Sequence, residues 1–112
     1  MIKIENFEGS ESITELNVLV GEYSFVVRGA MTVRVKIWYT STSYGGDHYF
    51  FTQSHFFHGP NQMDAYVTSA PFSSSEEGAL RKAMTTLTSF YPPKGKYDDV
   101  DQSQWFVENK NY

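Results

Sequence analysis

"MTVRVKIWYTSTSYGGDHYFFTQSHFF", residues 31–57, decides how this chain folds. Two runs rich in β-branched and aromatic residues flank Gly45-Gly46, the dipeptide of a two-residue type I′ hairpin loop. The first run alternates Val33, Val35 and Ile37 with Arg34, Lys36 and Trp38, as a strand between two different environments does. The second run has no such asymmetry. On a regular strand Tyr49, Phe51 and Phe57 point one way, and Phe50 and Phe56 point the other. Both faces are aromatic, yet a sheet with a single covering layer has only one face to bury.

A two-residue loop pairs Tyr44 with Asp47, which sets Ile37 opposite Ser54 and Val35 opposite Phe56. Val33, Tyr39 and Phe50 then join the core face. Phe57 falls beside Arg34, His55 beside Lys36, Gln53 beside Trp38, Phe51 beside Thr40 and Tyr49 beside Thr42 on the opposite face. A three-residue loop slips the second strand by one, and Phe50 and Phe56 join Trp38 instead. Both registers leave Trp38, Lys36 and Arg34 among aromatic rings on the face away from any core.

Upstream, "LNVLV" and "YSFVVR" alternate in the same way, with Gly21-Glu22 and Gly29-Ala30 as Gly-X hairpin signals. Fourteen residues in 31–44 would span roughly 46 Å at ~3.3 Å each, so that strand is expected to bend. Downstream, "HGPNQ" turns into a fifth strand candidate, "MDAYVTSA". A helix follows: Pro71, then Ser73 or Ser74 with Glu76 or Glu77 as a capping box, and Pro92-Pro93 as the stop. Its apolar stripe is Ala79, Leu80, Ala83, Met84 and Leu87, with Phe90 or Tyr91 at the end. "WFV" at 105–107 reads as an edge strand or an apolar lid. Strands first and one helix last predict an α+β fold: a curved antiparallel β-meander of about five strands packed on one C-terminal helix.

The 112 residues suit one domain spanning 1–112, and 17% aromatic content is high for its size. The chain has no cysteine, which suits a reducing compartment, and no long apolar run or positively charged leader. A soluble, cytoplasmic protein without membrane contact is expected. The net charge of −4 disfavours a general nucleic-acid binder, but it is unevenly spread. Residues 1–27 carry −4 and 59–112 carry −2. Residues 28–58 carry +2, from Arg28, Arg34 and Lys36 against Asp47.

No motif for catalysis or cofactor binding emerges. His48 and His55 face opposite ways on a strand and His58 sits at a turn, so the three histidines do not form a zinc set. Asp98, Asp99 and Asp101 lack the spacing and glycine of a calcium loop. Ser54, His55 and Asp47 are the residue types of a hydrolytic triad, but neighbours on a strand point apart and no nucleophile elbow is present. A non-enzyme without cofactor or metal is expected.

What remains is the second aromatic face. Three occupants fit it: a second copy of the chain or another protein, a nucleic acid stacking on the rings, or the terminal segments through Phe7, Trp105 and Phe106. The order of strands and helix resembles, as topology alone, the ββββα units of Whirly-type single-strand binders, which implies the nucleic-acid alternative. The leading reading is a small accessory protein that self-associates or binds a protein partner through Arg28, Arg34, Lys36, Trp38, Tyr49, Phe51, His55 and Phe57. Single-stranded DNA or RNA stacking on Trp38 is the alternative.

Overall fold

The computed structural model of the chain describes residues 12–112. It has the α+β architecture expected: an antiparallel sheet, a second small sheet and one helix. Strands β1 (Asn17–Val27), β2 (Met31–Tyr44), β3 (Asp47–Gln53), β4 (His55–Phe57) and β5 (Phe72–Ser73) precede helix α1 (Glu76–Thr88). A 3₁₀ turn, Gln102–Trp105, leads into β6 (Phe106–Glu108). The large sheet has the order β1-β2-β3-β5, and β4 pairs with β6.

Gly21-Glu22 is not a hairpin. β1 runs through it, and the register with β2 slips between Leu19 and Gly21. The glycine leaves room for the Tyr23–Glu76 contact: a Cβ would meet Glu76 Oε2 and the Tyr23 ring at 2.9 Å, so those side chains would have to shift. The real turn into β2 is one residue earlier than Gly29-Ala30. Arg28 (φ 52°) and Gly29 (φ 68°) both take the left-handed conformation, closed by Ala30 N donating to Val27 O at 2.9 Å.

Gly45 and Gly46 have φ of 63° and 91°, and Tyr44 pairs with Asp47, as a two-residue loop requires. The register does not continue from there. Between Tyr39 and Tyr44, β2 takes five steps while β3 takes two, and the partners become Tyr39–Tyr49, Trp38–Phe50, Ile37–Phe51 and Val35–Gln53. An irregularity of three residues is odd, so β3 turns over relative to the simple two-residue register. Phe51 faces the helix and Phe50 joins Trp38.

The stretch 48–57 is also not one strand. It breaks at Ser54, where side chains take over hydrogen bonds that the ladder would make. Arg34 N donates to Ser54 Oγ (2.8 Å), Ser54 N to Arg34 O (2.8 Å), and Gln53 Nε2 to His55 O (2.7 Å). Asn109 then receives the departing strand: its N donates to Ser54 O at 2.8 Å and its Nδ2 to Gln53 O at 2.9 Å. "MDAYVTSA" forms a loop whose Tyr66 makes a single bridge to Phe57.

Helix α1 is capped by Ser75, one or two residues later than the capping box predicts, with Gly78 N donating to its Oγ at 3.0 Å. Ser73 is occupied as the end of β5. The buried helix face is Ala79, Ala83, Thr86 and Leu87, while Met84 is exposed. One core cluster joins Val35, Ile37 and Phe51 to Ala79 and Ala83; the other joins Val27, Val33, Phe57 and Leu87 to Trp105 and Phe106. Thr86 is tolerated inside because its hydroxyl reaches both Ala83 O (2.7 Å) and Gln53 Oε1 (3.2 Å).

Candidate functional site: the outer sheet face

With α1 on one side, the other side of the large sheet carries two adjacent rows of side chains running across the strands. The first is Leu19, Trp38, Phe50 and Phe72, one from each of β1, β2, β3 and β5, in direct register. The second begins with Glu22, Lys36 and Thr52.

The first row is a continuous aromatic strip. Trp38 and Phe50 lie nearly parallel with centroids 6.2 Å apart, and Phe50 tilts against Phe72 at 6.0 Å. Tyr44 extends the strip by stacking on Phe72 at 4.1 Å. The polar edges are satisfied along the sheet: Trp38 Nε1 donates to Thr52 Oγ1 (3.1 Å) and the Tyr44 hydroxyl to Glu15 Oε1 (3.0 Å). That leaves the Trp38, Phe50 and Phe72 rings half-buried, with Tyr44 44% and Leu19 46% exposed beside them. The Glu15 bond and its negative charge raise the Tyr44 phenol pKa.

The second row is covered by the chain's own tail. The Tyr112 ring sits over Lys36 Nζ at 4.1 Å and the Arg34 guanidinium at 5.3 Å. Lys36 Nζ also donates to Tyr112 O at 3.2 Å, and the Tyr112 hydroxyl donates to Glu22 Oε2 at 2.5 Å. Burial, then the bond to Glu22, pushes the Tyr112 phenol well above its ordinary value. Lys36 on this row and Arg34 two residues along β2 therefore share one aromatic partner, with Glu22 close by.

Of the residues read from the sequence as binding, Arg34, Lys36 and Trp38 share this face. The others lie elsewhere. Phe51 and Phe57 are buried in the two core clusters, and Tyr49 packs on the helix side against Tyr39. The turned-over register moved Phe51 and Tyr49, and the break at Ser54 moved Phe57. His55 lies in the small sheet opposite Glu108, and Arg28 sits at the β1–β2 turn above Tyr91. Phe50, Phe72, Tyr44 and Tyr112 complete the face in their place. Phe50 was accessible through the alternative register, whereas Phe72 and Tyr112 carry no local signal. Trp105 and Phe106, candidate covers for this face, pack with Phe57 in the core, and Phe7 lies outside the described residues.

The histidines each engage locally: His48 Nδ1 with Thr40 O (2.8 Å), His55 Nδ1 with Ser54 Oγ (2.9 Å) and His58 Nε2 with Gln62 O (3.0 Å). Ser54 and His55 do meet, contrary to the regular-strand expectation, because the strand breaks between them. Ser54 is buried and its Oγ already accepts the Arg34 amide, so the contact belongs to the strand switch. Among the described residues no three His, Asp or Glu side chains converge as metal ligands, and no helix is long and apolar enough to cross a membrane.

Comparison with known proteins adds no relative: no protein-family model matches the chain, and neither a curated protein nor a solved structure matches it significantly.

Proposed function

We propose that this chain is a small non-enzymatic interaction module, cytoplasmic as its cysteine-free sequence suggests, that self-associates through the Leu19–Trp38–Phe50–Phe72 strip. The observation that carries this is the separation of the outer face into two rows. The open rings form one row, and the cations that would neutralise a phosphate backbone lie in the other, beneath Tyr112.

The shape of the strip favours a second copy as occupant. A two-fold axis through the ring strip sets the rings of one copy against those of the other, as an isologous interface requires. Aromatic side chains with satisfied polar edges are typical interface anchors.

Sedimentation equilibrium at micromolar concentration tests this. The expected result is a species of twice 12.8 kDa that dissociates on dilution and is monomeric in Trp38→Ala. A wild-type monomer at every concentration overturns the reading.

Single-stranded nucleic acid is the second reading, favoured by the near-parallel Trp38–Phe50 pair beside Lys36. It requires Tyr112 to leave the cations. Titrating mixed-sequence oligonucleotides at low salt then quenches Trp38 fluorescence, more strongly in Tyr112→Ala than in wild type. No quenching in either protein removes this reading.

A further inference from the structure

A second candidate site lies where the β1–β2 turn meets the segment after α1, and its argument is independent of self-association. A cavity of about 250 Å³ opens there, with Arg28, Tyr91, Pro93, Lys94, Tyr97 and Asp98 among its walls. It is smaller than the ~300–1,000 Å³ of drug-sized sites, so it suits a single ring with one polar group.

The walls are held in place. Tyr91 and Tyr97 each pack at 5.5 Å against buried Trp105, at steep angles of 66° and 89°. Gln102 ties the two tyrosines together, accepting from the Tyr91 hydroxyl and donating to Tyr97 O at 3.4 Å. Over this aromatic wall stands Arg28, its guanidinium 4.7 Å from the Tyr91 ring centre.

Arg28 is unusual in two respects. It is the one non-glycine residue with positive φ among the described residues, at a turn position that favours Gly, Asn or Asp. Among those residues its contact is the Tyr91 ring: it forms no hydrogen bond, and the ion pair present is Arg81–Glu77. A strained backbone thus presents a guanidinium whose N–H fork is free, a geometry matched to a carboxylate or phosphate. Lys94 adds a second cation. Asp98, the acid in the lining, has Oδ1 engaged by Gly95 N at 3.0 Å.

We infer that this cavity binds an aromatic oxyanion, a planar ring bearing a phosphate or carboxylate, with Arg28, seated on Tyr91, on the anion and Tyr97 against the ring. The test is ¹H–¹⁵N NMR titration of the wild-type chain with phenyl phosphate, benzoate and inorganic phosphate. The chain's two tryptophans provide probe and control. Phenyl phosphate or benzoate is expected to shift the Trp105 indole and Arg28 Nε signals while the Trp38 indole stays still. Whichever binds more tightly identifies the anionic group, and inorganic phosphate should bind at least tenfold more weakly. Arg28→Gly should weaken binding at least tenfold while keeping or raising the thermal midpoint, because glycine adopts this φ freely. Arg28→Lys, which keeps charge and loses the fork, should fall between the two. Absence of shifts with all three compounds overturns the inference. So does equal binding of inorganic phosphate, or binding that survives Arg28→Gly. A large drop in midpoint in Arg28→Gly also overturns it, marking Arg28 as a structural latch on Tyr91.

Discussion

On the helix side of the large sheet Val33, Val35 and Ile37 have no accessible surface, whereas on the other side Trp38, Phe50 and Phe72 keep part of theirs. The Trp38–Phe50–Phe72 row on the uncovered side is no less apolar than Val33, Val35 and Ile37, and its side chains are larger. The difference comes from the covering layer. Helix α1 and Phe57, Trp105 and Phe106 close the first side with Ala79, Ala83 and Leu87 fully buried. On the second side, among the described residues, Tyr112 covers Lys36 and Arg34, while Trp38, Phe50 and Phe72 stay partly accessible. Hydrophobicity alone therefore does not identify a core face, and an open aromatic row is where a partner is best sought.

The largest expected effect lies on the covered side. Phe57 is fully buried, with Tyr91, Trp105 and Phe106 around its ring at centroid distances of 5.0–6.3 Å. Phe57→Ala should cost about 3–5 kcal/mol, read as the loss of unfolding free energy in a denaturant titration. A cost below about 1 kcal/mol would break the assignment of core and outer faces.

Gly78→Ala probes how β5 closes onto the helix. A Cβ there would lie 2.1 Å from Ser73 Oγ, which outweighs alanine's ~1 kcal/mol advantage in helix propensity. A net loss of about 1–3 kcal/mol is expected, in the range of overpacked cores. Ser73→Ala in the same chain should recover part of it, since the oxygen is the nearest obstacle.

Trp38→Ala sharpens the comparison from the open side. Its ring stacks on Phe50 alone among the described aromatic rings and remains partly solvated, so the monomer should lose only about 1 kcal/mol. The effect on self-association should be far larger than the effect on folding.

Alkaline pH gives the smallest and most diffuse effect. Tyr23, Tyr44, Tyr91 and Tyr112 all have phenol pKa values raised above the ordinary 10.0, Tyr23 and Tyr44 mainly by hydrogen bonds to glutamates and Tyr91 and Tyr112 mainly by burial. The unfolded chain ionises first. Stability should therefore be intact below pH 10 and decline as pH rises past it. Ultraviolet titration of tyrosine should show a late-ionising group, reduced by one in Tyr112→Phe.

Several features were legible in the sequence because they depend on neighbours along the chain. The Gly45-Gly46 loop and its Tyr44–Asp47 pair follow from the φ preference of glycine, and the helix from its serines, glutamates and prolines. The period of two in 33–38 placed Val33, Val35 and Ile37 inside and Arg34, Lys36 and Trp38 outside, because only one of those sets is apolar throughout. In 48–57 both sets are apolar, so the pattern is equally compatible with either register, and only packing could choose. Three decisions were made by tertiary contacts: the irregularity between Tyr39 and Tyr44, the strand switch at Ser54, and the placement of Tyr112 over Lys36. Each involves groups distant in sequence: Glu15 and Leu16 bonding Thr40 and Ser41, Asn109 receiving the backbone of Gln53 and Ser54, and Glu22 taking the Tyr112 hydroxyl.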